Sequence, residues 1–80
     1  MVYEMDIFTR NFAGFLREMR KRRSLTQQEL SRVSDLDYKH IQKLEDANNP
    51  KDPRLSTLRK LSRALRVPTK DVVAAAFGEN

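Results

Sequence analysis

The sequence predicts an all-α domain of five helices, and three observations carry that expectation. Apolar residues recur at spacings of three and four, which line up side chains on one face of a helix. Residues able to cap helices stand ahead of these runs, and turn formers stand between them. Only two glycines and three prolines occur in 80 residues, with no strand-like alternation, no repeat and no low-complexity tract, so short turns must join the helices.

Each helix has its own local argument. Phe8, Phe12, Phe15, Leu16 and Met19 make one stripe over residues 8 to 22, with Arg10, Arg17 and Lys21 largely off it. Thr26-Gln27-Gln28-Glu29 is a capping box flanked by Leu25 and Leu30 at staple positions, so a second helix starts near Gln27. Asp37 is placed to cap a third helix from Tyr38 to about Asp46, with Leu36 and Ile41 as its staple. The prolines and turn formers of Asp46 to Pro53 read as a loop, after which Asp52, with Pro53 at the first helical position, is expected to open helix four. Leu55, Leu58, Leu61 and Leu65 form its stripe, Arg59, Lys60, Arg63 and Arg66 project away, and Pro68 ends it. Thr69 is expected to cap a short, apolar fifth helix reaching about Phe77. The expected core is Phe12, Leu16, Met19, Leu30, Val33, Ile41, Leu44, Leu58, Leu61 and Leu65.

Length and charge narrow the function. Residues 1–80 make one domain, near the size where a single core only just offsets the entropy of ordering the chain. Sixteen Lys and Arg against eleven Asp and Glu give a net charge of +5, which draws the chain to polyanions, nucleic acid foremost. No cysteine is present, so packing rather than disulfides or thiolate metal sites must hold the fold. No apolar run approaches the roughly 20 residues that span a bilayer, and the start of the chain lacks a signal peptide's pattern. A cytoplasmic, nucleoid-associated protein with no membrane partner is expected. His40 is the single histidine and has no partners at ligand spacing, so neither a metal, a cofactor nor a catalytic role is expected.

Two short helices joined by a tight turn, the first with a capping box, are the local pattern of a helix-turn-helix. With Ile41 and Leu44 inward, a wheel at about 100° per residue leaves Lys39, Gln42, Lys43 and Asp46 outward, Tyr38 on the flank, and His40 and Glu45 partly covered. Gln pairs bidentately with adenine, Lys donates to guanine or phosphate, and Tyr reaches a phosphate or packs on a thymine methyl. A plain solvated helix face is the competing reading, as is a solvated helix end for Arg20-Lys21-Arg22-Arg23, where cations complement the macrodipole.

At the level of residues the chain resembles the lambda-repressor-like, Cro/C1-type helix-turn-helix family over about residues 12–73. The resemblance is carried by Leu16-Arg17-Glu18-Met19-Arg20, Leu25-Thr26-Gln27-Gln28-Glu29-Leu30, Ile41-Gln42-Lys43-Leu44-Glu45, Pro53-Arg54-Leu55-Ser56-Thr57-Leu58 and Ala64-Leu65-Arg66-Val67. It implies a compact five-helix DNA-binding domain with a central helix-turn-helix. It further implies that Gln27 touches a phosphate and braces the recognition helix, that Tyr38, Lys39, Gln42 and Lys43 line the groove with Asp37 at the helix start, and that Arg20 and Glu45 form a partly buried ion pair. Asn48, Asn49 and Lys51 are expected at the DNA backbone. The chain departs from the family at Ser31, where a small residue is usual, and at Asp35 and Ala47, where glycine is usual; Asp35 is therefore expected at positive φ, which Asp tolerates. The loop before Pro53 is about two residues longer than usual.

The expectation is a regulator of transcription, not an enzyme, binding a roughly palindromic double-stranded site as a homodimer whose recognition helices enter grooves about 34 to 36 Å apart. Val72, Val73 and Phe77 serve either internal packing or the dimer interface. The rival is an antitoxin-like or adaptor module whose main partner is another protein. A nuclease would need a cluster of carboxylates or histidines that the sequence lacks.

Overall fold

The computed structural model describes residues 3–46, 48 and 53–76, with side chains from residue 12 onward. These residues form five helices: α1 (Tyr3–Arg22), α2 (Gln27–Ser34), α3 (Tyr38–Leu44), α4 (Leu55–Leu65) and α5 (Thr69–Ala76). α1 and α4 both pack on α5, while α2 lies between α3 and α4. One core joins all five, with Leu16, Leu30, Ile41, Leu58, Leu61, Leu65 and Val72 each less than 2% exposed.

α1 begins five residues before the expected start at residue 8. Tyr3 to Ile7 contain no helix breaker. The stripe residue Phe8 and the off-stripe Arg10 lie outside the described side chains; Phe12 and Leu16 are buried, and Phe15 and Met19 pack partly against the core. The capping box of α2 forms in full: the Glu29 amide donates to Thr26 Oγ1 at 3.0 Å and the Thr26 amide to Glu29 Oε1 at 2.8 Å. Hydrogen bonding to Thr26, its amide first and its hydroxyl second, holds the Glu29 carboxyl below its ordinary range.

Three helices, α1, α2 and α4, end in the same way. Ser24, Asp35 and Arg66 take left-handed backbone at φ 56, 60 and 56, and the amide after each reaches back five residues, Leu25 to Arg20, Leu36 to Ser31 and Val67 to Ser62. The serines add a second tie, since Ser31 Oγ donates to the Leu36 carbonyl and Ser62 Oγ to the Val67 carbonyl. Asp35 thus does take the positive φ expected of it.

Several local expectations are corrected. α3 stops at Leu44, not Asp46, because Glu45 is the cap residue and the Asp46 carboxylate accepts the Asn48 amide at 2.9 Å, turning the chain. Asp37 sits at the N-cap with extended backbone but makes no side-chain cap bond. α4 starts at Leu55 with Arg54 as N-cap, so Pro53 precedes the helix; Asp52 lies outside the described residues. Thr69 is inside α5: the Pro68 carbonyl takes the first amides, from Asp71 at 2.9 Å and Val72 at 3.3 Å, while Thr69 Oγ1 pairs with Ser62 Oγ at 2.9 Å.

Two expected apolar contacts are also absent. Val33 is 56% exposed because the buried row of α2 runs through Leu30 and Ser34, one turn apart, and leaves Val33 off its edge. Leu55 is 66% exposed because the buried face of α4 is centred on Leu58, Leu61 and Leu65, with Thr57 and Ser62 at its borders. Val72, by contrast, is packed inside its own chain at 1% exposed and Val73 is half-buried; Phe77 lies outside the described residues.

Candidate nucleic-acid interface

The site is organised around one buried carboxylate. Glu45, 2% exposed at the end of α3, accepts Arg20 Nε at 2.7 Å and Arg20 Nη2 at 2.9 Å, a two-pronged pairing that fixes both groups in one plane. Hydrogen bonding to Glu45 is the main reason the Arg20 guanidinium is held above its ordinary value, against the opposing effect of burial. The remaining prong, Arg20 Nη1, donates to the Leu25 carbonyl at 2.9 Å, so this side chain ties the end of α1, the α1–α2 linker and the end of α3 together.

Gln27 completes the arrangement. Its amide donates to Glu45 Oε1 at 3.1 Å, so the first residue of α2 grips the last cap of α3. The bracing role that the resemblance implied thus has its partner in Glu45. Arg17, one turn before Arg20, donates from Nη2 to the Glu45 carbonyl at 2.9 Å and brings Nε within 3.8 Å of Glu45 Oε1. Sequence reasoning missed Arg17; its i,i+3 relation to Arg20 is the signal that points to it.

With Ile41 and Leu44 buried and Glu45 locked, Lys39, Gln42 and Lys43 stand exposed along α3, as does Asp37 at its start. His40 is half-buried. Tyr38, 36% exposed, borders a hollow of about 430 Å³ shared with Arg20, Ser24, Leu25, Thr26, Gln27 and Gln28. The hollow therefore joins the start of α2 to the start of α3, where backbone amides and polar side chains gather. Asn48 is exposed beyond α3. Asn49 and Lys51 lie outside the described residues, as does Ala47. Along the basic end of α1, Arg22 pairs with Glu18 at 2.7 Å and Arg23 Nε donates to the Leu65 carbonyl at 3.0 Å, so two of its four cations are engaged within the fold besides Arg20.

A donor-rich helix held rigidly behind a capped helix, across a three-residue turn, defines a helix-turn-helix unit. The chain belongs to the helix-turn-helix family (HTH_3, the Cro/C1 type), which matches residues 16–72, and the protein is a DNA-binding regulator of that general kind. No curated protein matches the chain. Among the described residues, no three His, Cys, Asp or Glu gather as a metal centre requires, and no helix is long and apolar enough to cross a membrane.

Proposed function

We propose that the protein is a sequence-specific regulator of transcription, of the phage-repressor and controller-protein type, that inserts α3 into the major groove of double-stranded DNA. The observation that carries this reading is the division of α3 into a buried Ile41–Leu44 side and an exposed Lys39–Gln42–Lys43 side, with Glu45 pinned by three side-chain donor bonds behind it. A rigid reading head loses little freedom on docking, so its hydrogen bonds translate into discrimination.

Each exposed side chain has a role that its chemistry suits. Gln42 pairs with an adenine edge, Lys39 and Lys43 donate to guanine or to phosphate, and Asp37 accepts from a cytosine amino group. Tyr38 and Gln27, at the hollow between the helix starts, meet the DNA backbone, with Asn48, Asn49 and Lys51 following the strand beyond α3. The protein acts as a homodimer on a roughly palindromic operator, and occupancy of a promoter is its mode of control. For the dimer contact, Val73 and Phe77 are the residues proposed; Val72 is already covered within its own chain. The chemistry needs no catalytic residue and no cofactor.

Selection of bound sequences from a randomised duplex pool at two salt concentrations tests the reading. A two-fold symmetric motif with steep salt dependence is expected. Uniform weak binding that disappears near physiological salt would instead favour the adaptor reading, with a protein as the main partner.

A further inference from the structure

A second hollow, of about 450 Å³ and open to solvent, lies on another flank of the molecule, lined by Arg23 at the end of α1, Leu25 in the linker, Val33 on α2, and Arg63, Ala64 and Arg66 at the end of α4. Its floor is apolar: Leu25 and Ala64 pack on the core from below, and Val33 is an aliphatic side chain that the fold leaves 56% exposed. Its rim carries three guanidinium groups and no carboxylate. Arg23 is held by the Leu65 carbonyl, whereas Arg63 and Arg66 are exposed and face no carboxylate within ion-pair distance among the described residues.

The hollow shares Leu25 with the one beside Tyr38 but has no residue of α3 in its lining. Gln27 and Val33 are six residues apart on α2, so at about 100° per residue they point about 120° apart, with the buried Leu30 and Ser34 between them. Anything seated against Val33 therefore sits about a third of a turn around α2 from Gln27, the residue that grips the cap of α3, and touches no residue of α3 in the hollow's lining.

We propose that this hollow docks an acidic segment of a partner protein that carries an aliphatic anchor. Guanidinium groups take carboxylates in bidentate pairs, and an apolar floor ringed by such groups accepts an aliphatic side chain between them. The charge of the rim fixes the sign of the partner, and Val33 with its apolar surroundings selects a peptide over a phosphate backbone, which offers nothing to bury there. Because α3 remains free, DNA and the acidic partner are held at the same time. A DNA-bound copy can in this way recruit or exclude a second protein through its own helices.

The test is fluorescence anisotropy with a labelled peptide of glutamate and aspartate interrupted by leucines, against a control of equal charge in which serine replaces every leucine. The wild-type protein and the variants Arg63→Glu, Val33→Ser and Lys21→Glu are compared without DNA, so the outcome does not depend on the operator. Positions 33 and 63 are exposed, and circular dichroism verifies that both variants fold. The leucine peptide is expected to bind wild type, to lose about tenfold in affinity with Arg63→Glu, as one charge-assisted contact is worth, and to lose affinity with Val33→Ser. Lys21→Glu, an equal charge change on the outer face of α1, is expected to leave it nearly unchanged. Equal binding of the serine peptide, or equal loss with Lys21→Glu, would reduce the effect to net charge and overturn the proposal. So would an Arg63→Glu protein that binds duplex DNA more weakly and with a lower salt slope, since the arginine would then serve phosphate.

Discussion

The same joint occurs twice in this chain, once between α2 and α3 and once between α4 and α5, and the two copies serve opposite ends. In each, a serine four residues before the left-handed cap residue ties the turn twice, and the next helix starts three residues after that left-handed residue. Beyond the joint they diverge. α3 buries Ile41 and Leu44, keeps its outer face polar and is fixed at its end by an ionic node; α5 buries Val72 and Ala76, with Val73 and Ala75 also packed against the core. Turn geometry sets how the second helix crosses the first, whereas the residues of that second helix decide whether it keeps a polar outer face or becomes a core element.

The comparison predicts which variants separate stability from DNA binding. The largest expected effect is that of Glu45→Ala, which strands the Arg20 guanidinium and costs about 3 to 5 kcal/mol in stability, with loss of DNA binding as α3 is released. Leu61→Ala, in the core and away from the node, costs a comparable 2 to 5 kcal/mol or so but leaves the affinity of the folded fraction unchanged. Denaturant melts paired with duplex titrations below the transition distinguish the two.

Next come the exposed residues of α3. Lys39→Ala and Gln42→Ala are each expected to cost about 1 to 3 kcal/mol on the selected site and to relax selectivity there, with no change in the melting curve. Retained selectivity in both variants would remove α3 from the reading surface. Smaller still is the effect of relieving the two joints. Arg66→Gly is expected to raise stability by about 0.5 to 1 kcal/mol, and Asp35→Gly by less, because aspartate tolerates the left-handed region better than arginine. Thermal melts would show both shifts, and a loss at either position would mean that its side chain contributes more than its backbone costs.

The smallest effect belongs to the capping box. The Glu29 carboxyl is held below its ordinary value, so its contribution is present above the unfolded carboxylate pKa of about 4.3 and is lost as pH falls through the lowered folded value. Glu29→Gln should accordingly melt below wild type at neutral pH and converge with it in acid. Parallel melting curves across the acid range would count against the ionised cap.

Legibility in the sequence followed how local each interaction is. The capping box at Thr26 and Glu29 and the stripes of α1 and α4 depend on neighbours three or four residues apart, so spacing alone exposes them, whereas the left-handed Asp35 follows from the glycine that the resembled family has there. Arg20 and Glu45 are 25 residues apart and were visible only through family resemblance; Arg17, which reaches the same residue across 28, was not seen. Val33 and Leu55 were misjudged for a related reason: periodicity finds an apolar stripe, but its edges are set by where the neighbouring helix ends. Asp37 holds the N-cap position of α3 as expected but makes no cap bond, and the starts of α4 and α5 differ from expectation because a residue of capping type need not cap when a preceding carbonyl already takes the first amides.

The most direct measurement of the division between the two joints is a chemical-shift titration of the labelled protein with its selected duplex. Perturbations concentrated in Gln27 and in Tyr38 to Lys43, with the amides of the buried face of α5 at Val72 and Ala76 unmoved, are the predicted result. Shifts confined to α5 or to the hollow around Val33, with α3 silent, would contradict it.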